Sequence, residues 1–469
     1  MLDYFPRIPA NRAITLYFIV LLVVSVFFYN YAMLLHWVLF GAVAVLVFFV
    51  FGPRLTYTWR DKPEKEFVRK LFLSALVLRV AFVVFSYYFF NAMTGMPFEY
   101  AAADSMGYNN EASWIVDLIR HNMLHRYFEY IEKKNGVSDM GYPFFLGIQY
   151  LATNKSIFLA RVVKALLSAY TCVLAYKLAA RNFGQDTGRI AAVFTMLMPN
   201  LIMYCGLHLK ETELVFISMA FLERTDYLLR SRSYAVHNII AAFLFAGLLF
   251  LFRTALGIVA VFSLITAIFI ASEKAIKKGR RVLIGFWIVL TIGVFAGGTI
   301  AMEVEELWKN KDTNQRVRLE DRAKKGNVFA RYAGASIFAP MIFTLPFPTM
   351  VETPNQETFR MLHGGVFVKN IMSFFTLLAL LLLLVRKQWR DHVLILSFLT
   401  SYLAILTFSA FAHSERFHVP AIPLEMVLAA YGVVQLENRH KVWINLWMVF
   451  MFIALVAWTW FKLAGRGVI

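Results

Sequence analysis

For a chain of 469 residues, this one carries little charge: only 16% is Asp, Glu, Lys or Arg, against 60% hydrophobic. No soluble domain has that balance. Acidic groups are the scarcer kind, 29 against 47 basic, for a net charge of +18. Such an excess on a soluble protein would suggest nucleic acid. Here Lys and Arg collect in short loops between apolar runs, where they face the cytoplasm and anionic lipid head groups, so no nucleic-acid partner is expected. Cysteine is nearly missing as well. Cys172 and Cys205 both fall in or at the end of apolar runs, define no disulfide and lack metal-ligand spacing. The first apolar run, 13–28, is followed by no small-residue cleavage site, which favours an uncleaved first span over a signal peptide. There is neither a transporter-like internal repeat nor a low-complexity linker.

What is present is a succession of apolar runs of about 17–22 residues, the length that crosses a bilayer as a helix. The expected fold is therefore an all-α polytopic membrane protein with about thirteen transmembrane helices. They are expected near 13–29, 33–52, 71–91, 157–178, 190–206, 212–229, 238–252, 254–272, 282–301, 366–385, 391–410, 418–435 and 442–461. Strict alternation places Arg54–Lys70, Lys177–Arg189, Arg230/Arg232, Lys274–Arg281, Arg386–Arg390 and Arg439/Lys441 on one side with the N-terminus. By the positive-inside tendency that side is cytoplasmic. An integral cell (inner) membrane protein follows, with its long loops towards the periplasm or exterior.

Two long segments lie on the outer side, 92–156 and 302–365. In the first, Tyr108–His121 and Met123–Lys134 have the mixed pattern of interfacial helices, and Gly141–Leu151 is too short to span. The second begins with a charged run and ends at 339–350, where Pro340, Pro346 and Pro348 argue for a re-entrant piece. The chain thus divides into two extra N-terminal helices and a cytoplasmic loop (1–70), a catalytic transmembrane module (71–301), a second outer loop (302–365) and C-terminal helices (366–469).

Charged groups at a membrane boundary are costly and mark function. The outer turns contain His208-Leu209-Lys210-Glu211-Thr212-Glu213, the isolated Arg253, and His413-Ser414-Glu415-Arg416-Phe417-His418. Asp104 lies in Ala103-Asp104-Ser105-Met106-Gly107-Tyr108, after the third span, where it either caps a helix starting near Tyr108 or acts chemically. Arg79, Arg161 and Lys164 fall inside spans, and Arg79 has no role assignable from sequence.

This set suits transfer of a sugar from a lipid phosphate to a hydroxyl or phosphate acceptor on a lipid, polysaccharide or protein. A phosphate leaving group needs cations, best Arg in bidentate geometry, and an incoming hydroxyl needs a carboxylate base. One displacement at the anomeric carbon inverts it, unlike the two-carboxylate double displacement of retaining glycosidases. No cofactor is required. A second carboxylate would orient the acceptor or hold a divalent cation, magnesium or manganese.

These residues, in this order, resemble the GT-C superfamily of integral membrane glycosyltransferases. The nearest likeness is to the dolichyl-phosphate-mannose protein mannosyltransferases and the aminoarabinose transferases. The matching features are Asp104 with Tyr108, then Gly141-Tyr142-Pro143-Phe144, then Arg161 leading to Tyr176-Lys177-Leu178-Ala179-Ala180-Arg181-Asn182-Phe183-Gly184. They continue with Pro199 ahead of Lys210-Glu211-Thr212-Glu213, and end in Arg416-Phe417-His418-Val419-Pro420-Ala421-Ile422-Pro423. The resemblance covers roughly 71–435. It implies a polyprenyl-phosphate-linked sugar donor, Asp104 as base, and Arg416 as a ligand of the donor phosphate. Glu211 and Glu213 join the catalytic set, while Arg253, Lys210, Tyr108, Tyr142 and His413 are expected to bind substrate. Ser105 stands where the protein mannosyltransferases carry Glu after the Asp. That departure favours a lipid or polysaccharide acceptor in the cell envelope over a protein one. Two other readings share the composition: an O-antigen-type polymerase or ligase with a diphosphate-linked donor, and a transporter of lipid-linked sugars.

Overall fold

The computed structural model describes residues 2–133, 139–230, 236–272, 276, 285, 341–353, 356–407 and 412–464. Among them there is no strand. The helices are α1 (Arg7–Phe27), α2 (Leu35–Trp59), α3 (Glu64–Thr94), α4 (Ala103–Arg120), α5 (His125–Lys133), α6 (Gly141–Thr153), α7 (Ile157–Phe183), α8 (Gln185–Leu197) and α9 (Pro199–Met203). They continue with α10 (Glu211–Arg230), α11 (Val236–Phe252), α12 (Thr254–Ile270), α13 (Glu357–Val385), α14 (Val393–Thr407), α15 (Glu415–His418), α16 (Ile422–Val434) and α17 (His440–Ala464).

Every expected span except 282–301, of which only residue 285 is described, coincides with a helix or a broken helix. Among the described residues, seven stretches are long and apolar enough to cross a membrane, or eight when α8 and α9, bent by 52°, are taken as one. The α11 and α12 helices are shorter apolar helices. The stretch through α15 and α16 is 94% buried and forms the centre of the bundle, whereas α3 and α17 are 28% buried and turn most of their surface outward. Around α16 pack α13 and α8; α7 packs on α3, α8 and α10, and α12 on α14. The start of α13 at Glu357 lies nine residues ahead of the expected span.

The first two helices are integral to this bundle. The α2 helix packs on α13 and α8. Gly41 and Gly364 meet so closely that a Cβ on Gly364 would lie 2.6 Å from the Gly41 backbone. Small residues allow such backbone approach, a common means of helix association in lipid.

Arg79 acquires a role at the bend. Pro199 has no N–H to give to the carbonyl of Thr195, and the extended Met198 ends the helical ladder of α8. The fully buried Arg79 supplies the missing donors: it bonds the Thr195 and Met196 carbonyls at 3.2 Å each, and the Ser168 hydroxyl at 2.7 Å. Its positive charge also complements the negative end of α8. Arg79→Leu orphans these carbonyls inside the bundle and is expected to cost about 3 kcal/mol or more. A thermal midpoint of the detergent-solubilised protein equal to wild type would show that the bend stands without it.

The Pro-punctuated segment at 341–350 is irregular and largely buried. Its backbone acceptors are satisfied from α13. Asn370 bonds Thr344 and, at 2.9 Å, Pro346; Ser373 bonds Phe343 at 2.8 Å; and Lys369 reaches Leu345. Irregular backbone survives at membrane depth only under such cover. Residues 302–340 of the expected second outer loop lie outside the described residues.

Basic loops gather at one end of the bundle, where Arg189 donates to the carbonyls of Trp59, Arg60 and Lys62, and Arg230 to that of Asp391. There Arg181 pairs with Glu223 and Asp226 at 2.6 and 3.0 Å. The opposite end carries α4, α5 and α6.

Candidate functional site

Four chain segments converge at the α4–α6 end. The first turn of α4 carries Asp104, and that of α10 carries Glu211 and Glu213, where the positive helix terminus favours carboxylates. Arg253 occupies the break between α11 and α12. Arg416 lies on the short α15, and Pro420 and Pro423 fall in the first turns that follow, where a missing N–H costs nothing.

Arg416 is the hub. Its Nε donates to Glu211 Oε1 at 2.6 Å, and its Nη1 pairs with Asp104 Oδ2. Arg253 Nη2 donates to the same Glu211 oxygen at 3.1 Å, and its guanidinium lies 4.7 Å over the Phe417 ring. Glu211 is fully buried, whereas the Asp104 side chain is 59% exposed. Glu211 Oε2 and Arg253 Nη1 are buried with no hydrogen-bond partner among the described residues. The cluster therefore has one accessible carboxylate, one inaccessible carboxylate, one guanidinium joining them and a second held by the buried one.

The remaining expected residues are placed unequally. Tyr108 is edge-on to Tyr142 at 5.1 Å, and Lys210 Nζ lies 5.9 Å from the Tyr108 ring. Burial and the Glu211 and Asp104 charges push the Tyr108 phenol up to about 12, so it serves as a hydrogen-bond donor and not as a base. Lys210 pairs with Asp139 and donates to the Phe252 carbonyl at 2.9 Å. Burial and then Arg253 push its ammonium down to about 6, against the pull of the Glu211 and Asp104 charges. Glu213 turns away from Arg416 to Lys164, at 3.7 Å with both side chains buried. Lys164 also donates to the Leu207 carbonyl at 2.8 Å and lies 5.6 Å from the Tyr142 ring. His413 packs its ring on Trp458 of α17 at 5.2 Å.

Asp104 is not a cap. The α4 helix starts at Ala103, so Asp104 sits inside its first turn, and no side chain caps that end. Ser105 bonds Glu99, whose other oxygen accepts from the His208 backbone N–H at 3.2 Å. Burial keeps His208 neutral. Sequence reasoning overlooked Glu99, which is buried beside the site; its position between Phe98 and Tyr100 in a short connection between α3 and α4 gives no periodic signal.

No group of three or more His, Cys, Asp or Glu side chains able to hold a metal ion occurs among the described residues. The acidic pair is also a poor fit for a divalent cation: Glu211 already faces two guanidiniums, and Glu213 faces Lys164.

No curated protein and no solved structure matches the chain. Residues 362–469, which include Arg416 and the helices around it, match the Alg9-like mannosyltransferase family. That match is confined to the C-terminal part of the chain; together with the multi-pass helical bundle it indicates a membrane glycosyltransferase, and the matched family is of GT-C type and uses lipid-linked sugar donors.

Proposed function

We propose that the chain transfers a sugar from a polyprenyl-phosphate donor to a hydroxyl of an envelope lipid or glycan on the outer face of the cell membrane, with inversion. The observation that carries this reading is the Arg416 bridge, which joins an exposed carboxylate to a buried one. Asp104 takes the proton from the acceptor hydroxyl, whose oxygen attacks the anomeric carbon. The bond from that carbon to the phosphate oxygen breaks, and its electron pair leaves with the phosphate. Arg416 and Arg253 hold the negative charge that develops there. Glu211 fixes both guanidiniums so that they need not reorganise, and Tyr108 donates a hydrogen bond at the same edge.

Arg416→Ala is expected to weaken donor use by about 2 kcal/mol or more, about 30-fold in donor KM or turnover. Unchanged affinity and rate with a polyprenyl-phosphate sugar would remove Arg416 from the donor site. Comparing envelope glycolipids and polysaccharides from cells with and without the protein identifies the sugar and its acceptor by what is lost.

A further inference from the structure

An open cavity of about 580 Å³ runs from Asp104 along one face of α4, through Gly107, Tyr108, Asn110, Glu111 and Trp114, to Tyr130 and Ile131 of α5 and to Asp139 and Met140. Its volume is that of a small-molecule site, typically about 300–1,000 Å³. Neither the donor scheme nor any sequence motif uses Glu111, Trp114 or Tyr130.

The lining decides what fits. Among the described residues it contains three carboxylates, Asp104, paired with Arg416, Asp139, paired with Lys210, and Glu111, and no Lys or Arg of its own. A phosphate finds no cation in this lining among the described residues, so the donor head group belongs on the Arg416 side of Asp104. Sugar hydroxyls are the opposite case, since each can donate to a carboxylate. Glu111 is held ready for that: the buried Tyr127 hydroxyl donates to its Oε1 at 3.0 Å. Trp114 packs edge-on against Tyr130 at 5.5 Å and against Tyr127 at 5.9 Å, which fixes the plane of the indole. A fixed aromatic wall beside oriented carboxylates can stack the C–H face of a pyranose while its hydroxyls are bonded.

We infer that this groove is a saccharide subsite for the acceptor, with Trp114 as its stacking platform and Glu111, oriented by Tyr127, as its hydroxyl anchor. The inference rests on the proposed transfer reaction, because Asp104 marks the end at which the reacting hydroxyl lies. The sugar occupies the side of Asp104 away from Arg416, so donor and acceptor meet across that carboxylate.

The test is binding of methyl α-mannoside and methyl α-glucoside to the full chain in nanodiscs without donor, followed by saturation-transfer NMR. At least one glycoside is expected to bind saturably. Trp114→Ala should weaken that binding about tenfold, Trp114→Phe should restore most of it, and Glu111→Gln should weaken it while the thermal midpoint holds. In transfer assays, Trp114→Ala should raise the acceptor KM and leave the donor KM unchanged. Absence of saturable glycoside binding, binding indifferent to Trp114, or an effect confined to the donor KM overturns the assignment. The two readings fail separately. If Asp104→Asn is inactive but glycosides do not bind, the groove alone falls. If glycosides bind through Trp114 but Asp104→Asn turns over normally, the catalytic scheme falls.

Discussion

Asp104→Asn abolishes most sugar transfer, by about 10²–10⁴-fold in kcat, the range that a general base contributes. The substitution is close to isosteric. The amide oxygen still accepts from Arg416, so donor binding and the position of α15 are retained and the donor KM changes little. Stability changes little as well, because Asp104 is 59% exposed and an exposed ion pair contributes at most about 1 kcal/mol. The diagnostic result is a protein with a wild-type thermal midpoint and donor affinity but no turnover. Near-normal turnover would leave the proposed transfer without its base.

Glu211→Ala has the opposite signature, with loss of both fold and function. Glu211 is fully buried and its Oε1 receives both Arg416 and Arg253. Removing it leaves two guanidiniums facing each other without their shared acceptor. Breaking a buried pair in this way costs about 3–5 kcal/mol. The expected outcome is a large fall in the thermal midpoint in detergent, accompanied by loss of transfer. Glu211→Gln keeps the shape and one acceptor oxygen, so it should recover much of the stability while holding the guanidiniums less firmly. An Ala variant as stable as wild type would mean that the guanidiniums find other partners.

The contrast between these two carboxylates follows from their surroundings and not from their motifs. In sequence both are acidic residues near the end of an apolar run. The fold leaves one in contact with solvent at the mouth of a groove and seals the other between α10, α12 and α15. One is thereby fit to exchange a proton with substrate and the other to hold cations in place.

Much of the architecture was legible in the chain. Apolar runs of spanning length give the helices, because a bilayer leaves the backbone no partner but itself. The short helices of the first outer loop were readable from mixed patterning at helical period, and α4, α5 and α6 lie close to the stretches expected. Arg79 was not legible. Its partners are carbonyls freed by a proline more than a hundred residues away, and backbone acceptors leave no trace in composition. Glu213 was expected in the catalytic set and His413 at the substrate, but the turn of α10 sends Glu213 to Lys164, and His413 packs against Trp458.

By itself the sequence determined a polytopic helical protein whose out-of-place charges collect at one boundary, because burial of apolar length and exposure of charge are properties of each segment alone. Only the tertiary structure decided which of those charges meet. Arg416 reaches Asp104 across 312 residues and Glu211 across 205, and contacts at such separations depend on how the helices pack. The groove beside Asp104 was likewise decided by packing, since its walls come from two helices whose sequences separately show only amphipathic faces.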